Sequence, residues 1–259
     1  MALQSLIRHS CGTAAWVLGL AIVASSPARV QAADLQVLAG GGISVPLTEL
    51  AAEFERSSGH KVALRFGTTP ELIKLLAEGH SFDLVVVPRE VFKDADARSR
   101  VDNAPTVTIA RVGLGVAVRA GAARPDISTP EALKQTLLRA QSVATVPASA
   151  AGAQVLRAFE HLGIAEAMKA KIQPQSAPAQ VVRAVSQGEA ELGVFLVNVL
   201  TAPGLDVVGP FPADVQQEIE YVSGVSASPA QAEAAKSFMG YLRTPAAAAV
   251  LKAKGLNPG

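Results

Sequence analysis

Three short stretches of small and hydroxylated residues have the right make-up to hold an anion: Gly40 to Ser44, Gly67 to Thr69, and Ser149 to Gly152. Each follows an apolar run that reads as a strand and precedes an amphipathic run that reads as a helix. In open α/β sheets ligands bind at the carboxyl ends of strands. Free N–H groups at a helix start attract negative charge. The glycines Gly40, Gly41 and Gly42 permit close backbone approach and positive φ, and consecutive N–H groups form an anion-binding nest. Thr68 and Thr69 add two hydroxyls. Each loop also has a structural use as turn and cap, with Ser44 and Thr69 as natural N-caps. Arg65 and Arg111 are the candidates for supplying positive charge.

Other chemistries are poorly supplied. The chain has four histidines, and the three beyond residue 32, His60, His80 and His161, lie far apart. None has a partner at a metal-ligand spacing such as H-E-x-x-H, so they read as solvated surface residues. No G-x-S-x-G elbow occurs. Ser58 to Lys61 matches S-x-x-K, but in a polar turn and without the rest of that signature. Gly40 to Gly42 lacks the third spaced glycine of a dinucleotide fingerprint. The expectation is a protein that is not an enzyme and has no metal site and no cofactor.

Composition narrows the class. The chain has 259 residues, is 49% hydrophobic and 17% charged, and has a formal net charge of +1. That excludes disorder and gives no basic surface for nucleic acid. Arg8 precedes the apolar run Ala14 to Ala24, which is shorter than the roughly 20 residues of a membrane span. Small residues and Val30-Gln31-Ala32 follow. This is the pattern of a secretory signal peptide over residues 1–32. It removes Arg8, Arg29, Cys11 and Trp16, leaving a formal charge of −1 and no thiol. An exported chain without disulfides fits a bacterial periplasm.

The elements that must position the three loops follow from periodicity. Leu35 to Ala39, Val62 to Phe66 and Asp83 to Val87 read as buried strands. Between them, Leu47, Leu50, Ala51 and Phe54 mark one helix face, and Leu72, Leu75 and Leu76 another. The cycle repeats with strands at Arg111 to Val118, Val143 to Val146, Leu192 to Val197, Asp206 to Val208 and Glu220 to Val225. Helices start at Thr129-Pro130-Glu131, after Gly152, at Pro178 and near Ala235, and the last is capped by Thr244-Pro245. Strands alternating with helices imply an α/β fold with parallel sheets. Two successive units followed by helices alone imply two lobes with two hinge crossings: residues 34–107 with 222–259, and residues 108–221. A cleft between lobes is the expected site.

The order and spacing of several stretches resemble the periplasmic substrate-binding proteins of ABC importers, the molybdate-binding type in particular. They are LQVLAGGGIS, VALRFGTTPELIKLLAEG and FDLVVVP in the first half. In the second half they are VPASAAGAQVLRAFEHLG, PAQVVRAVSQGEAELGVFLV and AKSFMGYLRTPAAAAVLKAKG. The resemblance implies a two-lobed fold closing on an oxyanion held by hydroxyls and backbone N–H groups. It places the first-loop serine of that family on Gly42, beside Gly41, and the second-loop serine on Thr69, beside Thr68. Backbone donors fall on Ala151 and Val182, and a cleft tyrosine falls near Leu196. Serine and tyrosine donors are thus replaced by Gly42 and Leu196, and each hydrogen bond to a charged group contributes about 1.5–3 kcal/mol. The cleft is expected to be roomier and less polar, open to a small organic carboxylate as well as a molybdate-like oxyanion. The implied function is a monomeric, periplasmic anion receptor serving an inner-membrane ABC permease. A sensory module signalling to a membrane partner is the alternative.

Overall fold

A computed structural model describes residues 32–259. Residues 1–31 of the expected leader lie outside them. The chain begins β1 (Asp34–Gly40), a 3-10 turn (Gly41–Ile43), α1 (Ser44–Ser58), β2 (Lys61–Gly67), α2 (Thr69–Ala77) and β3 (Leu84–Pro88). A second 3-10 turn (Arg89–Lys93) and α3 (Ala95–Ser99) lead into the long β4 (Val107–Arg119). Then come α4 (Pro130–Arg139), β5 (Val143–Thr145), α5 (Ala150–His161), α6 (Ala165–Lys169), β6 (Ile172–Pro174) and α7 (Pro178–Ser186). β7 (Leu192–Leu196), α8 (Val197–Leu200), β8 (Leu205–Pro210) and β9 (Glu218–Val225) follow. The chain ends with α9 (Ala232–Tyr241), α10 (Pro245–Ala253) and the short β10 (Asn257–Pro258).

The strands run β2-β1-β3-β9-β4-β7-β5-β6, with β8 and β10 also on β4. β4 joins two halves. Its first part pairs antiparallel with β9 and β10, and its second part with β7 and β8. β1 pairs parallel with β2 and β3, and β5 with β6 and β7. The fold is therefore two α/β lobes, as expected. Their sheets are mixed rather than parallel, because β4 and β9 run against their neighbours where the chain passes between the halves.

The expected strands and helices are present with small shifts of boundary. β3 and β7 are buried at every position. β2 is the exception to the expected two-sided burial. It is an edge strand with alternating exposure, which leaves Arg65 in solvent. One apolar cluster runs under α1, α5, α7, α9 and α10 through both halves. A smaller one, with Leu72, Leu76, Val85 and Val87, fills the other face of the first sheet.

Two buried polar side chains hold the first half together. Asp83 accepts from the N–H groups of Gln36 and Gln231, each at 2.8 Å, so one buried carboxylate ties β1 to the start of α9. His60 is not a surface residue. It is buried, accepts from the Ala33 N–H at 3.1 Å and stacks on Phe54. The period-2 burial of its strand does not show this, because His60 lies in the turn before β2. His80 and His161 are exposed.

Candidate functional site

The three loops converge. Gly40, Gly41 and Gly42, Gly67, Thr68 and Thr69, and Ser149, Ala150 and Ala151 line one small cavity. Pro88, Pro178, Phe195, Leu196 and Tyr221 complete its wall. Of the residues expected at the site, Gly41, Gly42, Thr68, Thr69, Ala151 and Leu196 are brought together here. Val182 is not among them. It lies one turn into α7, where a helical N–H bonds to the carbonyl four residues back. Its side chain instead lines an adjoining groove with Ser44, Val45 and Asn198.

Each loop is shaped by local chemistry. Ser149 caps α5: its hydroxyl accepts from the Gly152 N–H at 2.9 Å. Thr68, not Thr69, caps α2. The Thr68 N–H and hydroxyl both donate to the Glu71 carboxylate, at 2.7 and 2.9 Å, in a reciprocal capping arrangement. Those bonds hold the Glu71 carboxyl below its ordinary range. Thr69 is therefore free to act across the cleft, where its hydroxyl accepts from the Ala150 N–H at 2.9 Å. A second bond spans the halves: the Asn198 side-chain amide donates to the Gly42 carbonyl at 2.7 Å. Ser44 is the first residue of α1, and no side-chain cap forms there.

The glycine run has a different use from the one its composition implied. Gly40 has φ −69°, and none of Gly40, Gly41 and Gly42 is among the positive-φ glycines. What the run provides is space. A Cβ on Gly40 would sit 2.9 Å from the Tyr221 ring, and one on Gly42 would sit 2.3 Å from the Tyr221 Oη and 2.5 Å from Leu196 Cδ1. The cleft is thus not roomier at Gly42. It is filled by Tyr221 from β9 and by the fully buried Leu196. The resemblance in the sequence put Leu196 in place of the family's cleft tyrosine and did not single out Tyr221, which also lines the cavity. A visible signal was available, since Tyr221 is the aromatic residue at the return crossing and one of two tyrosines in the chain.

Neither candidate arginine enters the cavity. Arg111 pairs with Glu220 at 3.1 Å, and Arg89 pairs with the same carboxylate. The Arg89 bond first, then one from Thr108, lowers the Glu220 carboxyl to about 2. This cluster fastens β9 to β4 directly beside Tyr221. Burial first, and the nearby Glu90 carboxylate second, push the Tyr221 phenol above its ordinary value. Among the described residues no group of three or more His, Cys, Asp and Glu could hold a metal ion, and no helix is long and apolar enough to cross a membrane.

Helix starts that converge on a neutral cavity between two α/β halves define a hinged binding-protein architecture. The chain belongs to the bacterial extracellular solute-binding protein family, whose model matches residues 35–257. It is 35% identical to a Pseudomonas protein named aconitate isomerase, covering 93% of this chain and 95% of that one. It is 26% identical to the molybdate-binding protein ModA of Azotobacter vinelandii, covering 87% and 90%. The fold superposes on a solved periplasmic molybdate-binding protein of Azotobacter vinelandii with a TM-score of 0.74 and 20% identity, covering 87% of this chain and 99% of that one. The likeness to ModA-type periplasmic binding proteins of ABC importers agrees with the resemblance in the sequence. The likeness to an isomerase overturns the expectation that the chain is not an enzyme. That expectation rested on a search for nucleophiles and metal ligands, and isomerisation by acid–base proton transfer needs neither.

Proposed function

We propose that this protein works in the periplasm, binds a small unsaturated polycarboxylate in the interlobe cleft, and isomerises it. Lobes of residues 34–107 with 222–259 and of residues 108–221 close on the ligand. The observation that carries the reading is the cavity itself. The starts of α2, α5 and α7 and the 3-10 turn before α1 surround it, and no charged side chain lines it. Such a site holds a carboxylate by helix-start N–H groups and hydroxyls. It accommodates one carboxylate head, and the grooves alongside, one with Phe66 and Ser176, the other with Asn198 and Lys254, take the rest of the ligand. Isomerising a double bond conjugated to carboxylates moves a proton: a base takes it from one carbon and returns it to another. The Glu71 carboxylate in the adjoining groove is placed for that role. Negative charge builds meanwhile on the ligand's carboxylate oxygens. Fixed donors aimed there lower the barrier. The relative named aconitate isomerase supports this substrate class.

The test is proton NMR of trans-aconitate and of cis-aconitate incubated with the purified protein. Each isomer should convert to the other. Absence of conversion with both would sink the enzymatic reading.

A second reading is a receptor that delivers a tetrahedral oxyanion to an ABC permease. Relatives named for molybdate binding favour it, and the same neutral cavity serves either anion. Isothermal titration with molybdate, sulfate and trans-aconitate separates the two. Tight binding of molybdate alone would select the receptor.

A further inference from the structure

We propose that Tyr221 is the side-chain hydrogen-bond donor to the bound anion, carried into the cleft by the return hinge strand. This deepens the anion-cleft reading and rests on it. Tyr221 stands opposite Pro88 in the antiparallel pairing of β3 with β9, and both line the cavity. Its ring occupies the volume that side chains at Gly40 and Gly42 would need. The two glycines and the tyrosine are thus one device: the first loop gives up side-chain donors, and the hinge strand supplies a hydroxyl in their place.

Tyr221 is also the one titratable side chain on the cavity wall among the described residues. Its ring is buried, yet among the described residues no hydrogen bond from its hydroxyl is formed. The other tyrosine, Tyr241, donates to Glu53 at 2.8 Å. The Tyr221 oxygen is not among the fully buried unpartnered atoms, so the hydroxyl opens into the cavity, where a ligand oxygen can accept from it. Glu90 lies two residues beyond Pro88, and its Oε2 is buried without a partner. Its negative charge opposes ionisation of Tyr221 and keeps the phenol a donor. The partner implied is an acceptor oxygen, from either a carboxylate or an oxyanion.

The test uses two probes separately, trans-aconitate and molybdate, in isothermal titration. Whichever probe the wild type binds should bind Tyr221→Phe about 10- to 100-fold more weakly, the worth of one charge-assisted hydrogen bond. The ligand-free melting temperature should not change. In a Tyr241→Phe background Tyr221 is the sole tyrosine, and the probe should shift its ultraviolet absorption band. A merely structural tyrosine would give neither result. Gly42→Ala, which pushes the hydroxyl aside, should lose binding at least as severely. Undiminished affinity of Tyr221→Phe, or no tyrosine signal on binding, would overturn this inference and leave the anion cleft standing. A wild type that binds neither probe would overturn both.

Discussion

The two walls of the cleft are built from opposite materials. The first half supplies the hydroxyls of Thr68 and Thr69 around a glycine run, and Tyr221 reaches the same wall from β9, which pairs with β3. The second half supplies the start of α5, where the Ser149 hydroxyl is already held by its cap, and the apolar surface of Phe195 and Leu196. Each wall has a critical glycine, but for different reasons. A Cβ on Gly152 would sit 1.8 Å from the Val146 carbonyl oxygen, against backbone. A Cβ on Gly42 would meet the tips of two side chains, Tyr221 and Leu196. Backbone cannot yield without moving a whole element, whereas a side-chain tip can. The second wall is therefore a rigid frame, and the first is an adjustable set of donors.

That contrast is breakable, and the largest effect tests it most directly. Gly152→Ala should destabilise the protein by about 3 kcal/mol or more, the upper range for overpacking, in urea denaturation. Gly42→Ala should cost about 1 kcal/mol of stability by the same mechanism while losing ligand. Equal stability losses from the two would refute the distinction between frame and donors.

Next in size is the bond that joins the walls. Thr69→Val removes the acceptor for the Ala150 N–H and should cost about 1 kcal/mol. Small-angle scattering of the ligand-free variant should show a more open molecule. A scattering profile identical to the wild type would mean that Thr69 does not hold the walls together.

The smallest effect concerns the anchoring of Tyr221. Glu220 titrates near 2 rather than its ordinary 4.5 because of Arg89 and Thr108. A lowered carboxylate pKa stabilises the folded state above the unfolded value, and that stability is lost as pH falls through the folded value. The wild type should therefore lose stability between about 4.5 and about 2. Glu220→Gln should remove that part of the acid dependence and cost about 0.5–1 kcal/mol at neutral pH, as for a largely solvated ion pair. Melting curves across this range measure it. An unchanged acid limb would mean that the cluster does not steady β9.

Much of the site was legible because its parts are local. The loops at Gly40 to Ser44, Gly67 to Thr69 and Ser149 to Gly152 each sit between a strand run and a helix run, and each reached the cavity. The caps at Thr129, Ser149 and Thr244 accept from N–H donors three residues on, a span that sequence spacing reports well. Where a competing partner came from far away, local reasoning failed. Thr69 gave up the cap to Thr68 because Ala150, 81 residues on, takes its hydroxyl. His60 is buried because the Ala33 N–H and the Phe54 ring meet it.

The sequence by itself determined the order of the longer strands and helices, the α/β class, and the loops that reach the cleft. These depend on periodicities of two and 3.6 and on caps, all short-range. The tertiary structure alone decided that Tyr221 fills the space left by Gly40 and Gly42. That choice depends on β9 running antiparallel between β3 and β4, which sets Tyr221 opposite Pro88. No periodicity records a pairing between residues more than a hundred positions apart, because their contact is fixed by the packing of the whole sheet.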